Sequence, residues 1–268
     1  MLKPRHVVVA FFSGAKGGTG KSTLAANLAI LLSQSLKTNV LLIDLGIDSS
    51  QTSSRILGIA DRPGVFDYLV GSVSDLNQLV IRSSYLPSVF VVPPGTVRSY
   101  QMTVGNNEAF DRWVYLVNYL VMTTDSQLVL IDLPANNTMP VVIPPLLIAH
   151  IINVVLEYAA YSEYVLREVD NAYILPMLTR LRYRKIINIV LNKAMGQDNI
   201  GGRIREFAHN GDVFVVPMSP TAHYLTTSLR PAVLYESRGS LDHFRRALSN
   251  MANTLARQVR AVLTGRVN

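Results

Sequence analysis

Ser13-Gly14-Ala15-Lys16-Gly17-Gly18-Thr19-Gly20-Lys21-Ser22-Thr23 lies between a short apolar run and an amphipathic pattern beginning at Lys21. A glycine-rich turn in that position can aim backbone N–H groups at an anion, and the helix that follows adds the partial positive charge of its N-terminus. Within the stretch, Lys21 suits the β- and γ-phosphates of a nucleotide and the Ser22 hydroxyl suits a Mg²⁺ ion. Gly17, Gly18, Thr19, Gly20 and Thr23 complete the cradle. The strict spacing G-x-x-x-x-G-K-[ST] would put its first glycine at Ala15, and a second lysine, Lys16, follows it instead.

Outward from the loop, apolar runs alternate with helical patterns, the signature of parallel strands joined by crossovers. Strands are expected near 6–12, 39–44, 89–93, 127–132, 151–157, 186–191 and 213–216. Helices are expected over Lys21–Ser35, Glu108–Met122, Tyr164–Arg182, Gly202–His209 and Leu241–Leu263, with Ser49–Gly71 broken at Arg62-Pro63-Gly64. The fold class is α/β: a doubly wound, mostly parallel sheet of about seven strands with helices on both faces, in one domain spanning residues 1–268. Its buried strands account for a mean hydropathy of +0.25 without a membrane. Two stretches imitate export or membrane segments. Met1–Phe12 has cations before an apolar run, but the run is short and leads straight into the loop. Met139–Leu156 is long and apolar, but Pro140, Pro144 and Pro145 favour a loop, a short helix and a strand. Cysteine is absent, which excludes iron–sulfur chemistry held by thiolates.

Two of the strands close on acids, Val40-Leu41-Leu42-Ile43-Asp44 and Leu128-Val129-Leu130-Ile131-Asp132. Ligands of open α/β sheets sit beyond the carboxyl ends of strands, so both acids face the loop's end of the sheet. Asp132 suits a Mg²⁺ water shell. Lys16-Gly17-Gly18-Thr19-Gly20-Lys21-Ser22-Thr23 resembles the deviant Walker A loop of the ParA/MinD family of dimeric ATPases. Asp132-Leu133-Pro134 is similar to that family's D-x-P signature, with Ala135 where a second proline is usual. Val190-Leu191-Asn192-Lys193 and Val216-Pro217 resemble its adenine-side strand ends.

The resemblance implies ATP and Mg²⁺ as cofactors, with catalytic roles for Lys16, Lys21 and Asp44, metal contacts from Ser22 and Asp132, and base contacts from Asn192 and Pro217. It implies a homodimer formed on ATP binding, with Lys16 crossing to the partner's nucleotide. One departure stands out. The family places a second carboxylate two residues after the first, where this chain has Gly46; Asp48 is the substitute at hand, and hydrolysis is expected to be slow. Gly46→Asp is expected to speed turnover unless the backbone there needs glycine.

Charge is uneven. Residues 1–175 carry 11 Lys/Arg against 13 Asp/Glu, a net of −2, while 176–268 carry 14 against 5, a net of +9. Such a split suggests an anionic partner surface. Along the last helix, Leu241, Phe244, Leu248, Met251, Leu255, Val259 and Val262 form the apolar stripe. Arg246, Arg257 and Arg260 project opposite and, with Arg180, Arg182, Arg184 and Lys185 elsewhere in the same basic region, are expected to meet DNA phosphates nonspecifically. The expected protein is a cytoplasmic, nucleoid-associated partition or positioning ATPase with a separate centromere-binding or adaptor partner and no stable membrane insertion. Three alternatives share the scaffold: a non-hydrolysing ATP-binding protein, motivated by Gly46; a MinD-like positioner, which would need an amphipathic tail beyond the last helix; and a small-molecule ligase, left open by Asn136-Asn137-Thr138.

Overall fold

Seven long apolar runs and one two-residue segment pair into a single sheet, because strands covered on both faces need apolar residues at every position rather than at alternate ones. The computed structural model describes residues 4–47, 52–59, 61–103, 109–135, 139–180, 184–195, 203–236 and 238–266. Its strands are β1 Val7–Phe12, β2 Asn39–Asp44, β3 Ile81–Arg82, β4 Val89–Val92, β5 Ser126–Asp132, β6 Ile151–Glu157, β7 Ile186–Ala194 and β8 Asn210–Pro217. They lie in the order β3-β4-β2-β5-β1-β6-β7-β8. All neighbours are parallel except β3, which runs antiparallel to β4.

The helices are α1 Lys21–Leu36, α2 Ser53–Ile56, α3 Val65–Leu69, α4 Val97–Thr103, α5 Ala109–Thr124, α6 Met139–Ile148, α7 Ser162–Val169, α8 Leu175–Arg180, α9 Pro220–Thr227 and α10 Ser240–Thr264. Alternate residues of β1 divide them into two layers. Val7, Val9 and Phe11 pack with α1, α2, α9 and α10. Val8, Ala10 and Phe12 pack with α3 and with α5 to α8, where Trp113 is the largest fully buried side chain.

Several expectations from the sequence need correction. β3 is additional to the expected strands; with two residues it has no periodicity to read. Of the helix expected over Gly202–His209, Gly202 lies outside the described residues, Arg203 is helical, and Arg205–Phe207 form a 3-10 turn before β8 begins at Asn210. The helix expected over Tyr164–Arg182 starts at Ser162 and winds through a π segment, Asp170–Ile174, between α7 and α8. Pro144 and Pro145 lie inside α6 rather than in a loop. Each removes one intrahelical donor, but Ala149 N still donates to Pro145 O and the turn continues. No helix among the described residues is long and apolar enough to cross a membrane.

Candidate nucleotide site

The central strand β1 ends at Phe12, and the glycine-rich loop bridges from it to the first residue of α1. β5 and β2 lie on one side of β1, β6 and β7 on the other, so the loop stands over the point where the order of strands reverses. That is where an open α/β sheet leaves a crevice. Ser13 shapes the loop by accepting from Lys16 N through its carbonyl at 3.2 Å and donating from Oγ to Lys16 O at 2.7 Å. Gly20 caps α1 in the left-handed region, at φ 93°. That backbone favours glycine, and a Cβ there would displace the Asn192 amide.

A cleft of about 340 Å³ opens above the loop. Gly18 to Thr23 form its floor, Leu133 to Ala135 one wall, and Asn192, Pro217, Met218, His223 and Phe244 the other. The structure therefore brings together Gly18, Thr19, Gly20, Lys21, Ser22, Thr23, Asn192 and Pro217 from the expected set. Gly17 sits beside Ala135, with room for a Cβ 3.7 Å from that residue's own. Asp48 lies outside the described residues, as do Asn136, Asn137 and Thr138.

Lys21 is 6% exposed and donates from Nζ to Ser13 Oγ at 2.7 Å. Burial lowers its pKa and the Asp132 carboxylate opposes that shift. Asp44 and Asp132 are register partners at the ends of β2 and β5, and both are fully buried. Their surroundings differ. Asp44 accepts from Gly46 N at 2.8 Å through Oδ1, and from Ser54 N at 2.8 Å and Ser54 Oγ at 2.6 Å through Oδ2. Burial raises its pKa against those bonds. Asp132 has no hydrogen-bond partner at either oxygen among the described residues. Burial first, then the neighbouring Asp44, raises its pKa, and Lys21, Ser22 and Ser53 only partly offset them.

A buried carboxylate without donors is costly, and a hydrated divalent cation is the species that would satisfy it. With the Ser22 hydroxyl facing the same group, the donor set fits Mg²⁺. The catalytic role expected of Asp44 is a different matter. Its oxygens are engaged by Gly46 and Ser54, so it holds Gly46 and the start of α2 in place rather than presenting a free carboxylate. Gly46 does not occupy the left-handed region, so the backbone there does not require glycine. A Cβ would meet Asp44 Oδ1 at 3.2 Å and Thr52 Cγ2 at 3.4 Å, and aspartate at 46 would bring a third acid to two buried ones.

Asn192 donates from Nδ2 to Thr19 O at 2.8 Å. That donor is engaged with the loop rather than with a base. Lys16 is exposed, and its Nζ lies 4.8 Å from the ring centroid of Tyr161. The Tyr161 hydroxyl donates to Glu157 Oε2 at 3.2 Å, and Lys193 Nζ reaches Glu157 Oε1 at 3.3 Å. Glu157 and Tyr161 have no motif to reveal them in the sequence.

The expected DNA contacts line the solvent side of α10. Arg257 and Arg260 are exposed, and Arg246 is exposed but paired with Asp242 at 2.7 Å. Arg184 is exposed, and Arg182 and the side chain of Arg180 lie outside the described residues. Lys185 must be withdrawn from that surface. It is fully buried, with Nζ donating to Leu147 O at 2.9 Å and to Ala149 O.

Comparison with solved structures finds the same architecture. The Mg-ADP complex of a septum site-determining protein MinD from Pyrococcus horikoshii matches at 19% identity and a TM-score of 0.71, over 95% of this chain and 98% of that one. A putative plasmid partition protein from Borrelia burgdorferi bound to AMPPNP matches at 15% identity and 0.71, over 94% and 99%. An ATP complex of a Cyanothece McdA variant matches at 17% and 0.69, over 94% and 96%. At these identities the likeness speaks for the fold. No curated protein sequence matches the chain. The model of the CobQ/CobB/MinD/ParA nucleotide-binding domain matches residues 10–264, from inside β1 to the last residue of α10, and the chain belongs to that family.

Proposed function

We propose that this protein is a nucleotide-operated switch that binds Mg-ATP, pairs two copies around the nucleotide, and in that state holds to DNA without regard to sequence, as part of a partition or positioning system. The observation that carries the reading is the buried carboxylate of Asp132, without a hydrogen bond of normal geometry among the described residues, next to Lys21 beneath a cleft of nucleotide size. The similar solved structures add weight, since they include a septum site-determining protein with Mg-ADP, a putative plasmid partition protein with AMPPNP and a McdA variant with ATP. Lys16 rests on Tyr161 at the open rim of the site, which suits a lysine that leaves its own chain for a partner's nucleotide. Hydrolysis is slow in this reading, because the second acid of the switch is Gly46 and the first is held by Ser54. Binding and dimerisation then outlast each turnover.

Sedimentation with ATP, with ADP and without nucleotide tests the proposal, run beside binding to duplex DNA of two unrelated sequences. ATP should give a dimer and DNA binding, and Lys16→Ala should remain monomeric. Replacing Arg246, Arg257 and Arg260 by alanine should reduce the slope of log K against log salt by about 0.9 for each arginine that meets a phosphate. A monomer in all three conditions would overturn the switch. DNA binding of equal strength with and without ATP would overturn its coupling to DNA.

A further inference from the structure

The metal side of the site holds one more group that neither the loop motif nor the acids account for. Ser53 is the first residue of α2, is fully buried, and its Oγ has no hydrogen-bond partner among the described residues. The hydroxyls on either side of it are used. Thr52 Oγ1 and Ser54 Oγ lie 3.0 Å apart, and Ser54 gives both its N–H and its hydroxyl to Asp44 Oδ2. Asp44 therefore fixes the backbone on which Ser53 stands. Because Asp44 and Asp132 are side by side in register, Ser53 is delivered to the Asp132 carboxylate, which it faces from the side of β2 while Ser22 faces it from α1.

A buried hydroxyl and a buried carboxylate each carry a desolvation cost unless well bonded, and here Ser53 Oγ lies against the Asp132 carboxylate without a hydrogen bond of normal geometry. A water bound to a divalent cation would donate one hydrogen to the carboxylate and the other to the hydroxyl oxygen, satisfying both.

We propose that Ser53 Oγ is a positioning group for the hydrated Mg²⁺ of the nucleotide complex, sharing a metal-bound water with Asp132 and so tying the start of α2 to the metal. The inference rests on the reading of the site as a Mg-nucleotide site. It gives the chain a hydroxyl on the side of the switch where its carboxylate is replaced by Gly46. It also gives Asp44 a defined task, that of holding Ser53 at the metal through Ser54.

The test is the Mg²⁺ dependence of nucleotide affinity, with a fluorescent ATP analogue titrated at increasing Mg²⁺ and in EDTA, for the wild type, Ser53→Ala and Ser53→Thr. Outer-shell partners of metals are worth about 10–100-fold in metal affinity. Ser53→Ala should need about tenfold more Mg²⁺ for half-maximal tight binding, with affinity in EDTA unchanged. Ser53→Thr, which keeps the hydroxyl, should follow the wild type. The metal-free protein provides a second readout that a merely structural serine would not give. Since alanine removes an unsatisfied buried hydroxyl, Ser53→Ala should unfold at the same or a higher temperature than the wild type. A Mg²⁺ midpoint in Ser53→Ala equal to the wild type's would overturn this inference alone. A wild type whose affinity ignores Mg²⁺ would overturn it together with the reading of the site.

Discussion

Two lysines are buried at opposite ends of the sheet, and the molecule treats them differently. At the carboxyl end, Lys21 opens α1, bonds to Ser13 Oγ and has the Asp132 carboxylate beside it. At the amino end, Lys185 precedes β7 and reaches under the C-terminus of α6 to the carbonyls of Leu147 and Ala149. Burial lowers both pKa values. Lys21 has a carboxylate to oppose the shift, whereas burial brings Lys185, which donates to two carbonyls, down to about 7. Beside it, His150 accepts from Val8 N at 3.1 Å through Nδ1, which places its proton on Nε2, and its own pKa falls to about 4 through burial, Lys185 and His6, in that order. The lysine at the nucleotide cleft is buried beside an acid, while the lysine under the end of α6 is buried against backbone carbonyls and titrates near neutrality.

The comparison breaks most sharply at Lys21. Lys21→Ala should lower affinity for a fluorescent ATP analogue by about 100-fold or more, since charge-assisted contacts to phosphate are worth about 1.5–3 kcal/mol each and this side chain supplies the loop's buried cation. Undiminished affinity would remove the loop from the site. The same measurement on Lys185→Met should show nucleotide affinity unchanged, because the substitution lies at the other end of the sheet.

What Lys185 should change is the alkaline dependence of stability. In the unfolded chain its proton persists to 10.5, in the folded protein only to about 7. Between those values the unfolded state binds the extra proton, so stability rises with pH and the contribution is fully present above 10.5. Denaturant unfolding at several pH values should show Lys185→Met reducing that slope by up to about 1.4 kcal/mol per unit. His150 acts in a narrower window. Its unfolded value is 6.5 and its folded value about 4, so stability is fully present above 6.5 and is lost as pH falls toward 4. His150→Asn, which keeps an acceptor for Val8 N, should flatten the acid limb over that interval. An unchanged limb would mean that the imidazole is solvated enough to charge without cost.

The two ends also differ in how much of them the sequence discloses. The loop, Ser22, Asp44 and Asp132 are readable because phosphate and metal chemistry constrains residue type and spacing at once. Lys185 reads as surface charge, since Arg180, Arg182 and Arg184 precede it and local composition cannot tell that one member of a basic run turns inward beneath α6. Ser53 sits in the run Thr52-Ser53-Ser54, where each hydroxyl looks alike; only the use of Ser54 by Asp44 singles out its neighbour. Asn192 lies two residues before the end of its strand, and its amide holds Thr19 O, a contact between residues 173 apart, which no local pattern announces. The prolines of α6 mislead for a different reason, because tertiary packing tolerates missing donors that an isolated helix would not.

The position of β1 at the middle of the sheet governs how the loop can come into being. Val7 pairs with Leu128 and Val9 with Ile151, so both neighbours of the first strand lie far along the chain. During synthesis at about 5–20 residues per second, the nascent β1 waits roughly 6–25 s for its first partner to leave the ribosome. Until then the loop has no rigid strand to spring from, and nucleotide has nothing to grip. Such late pairing gives the fold a high contact order and a slow rate-limiting step. Nucleotide should consequently stabilise the finished fold and slow its unfolding, while leaving the earliest folding events unaffected.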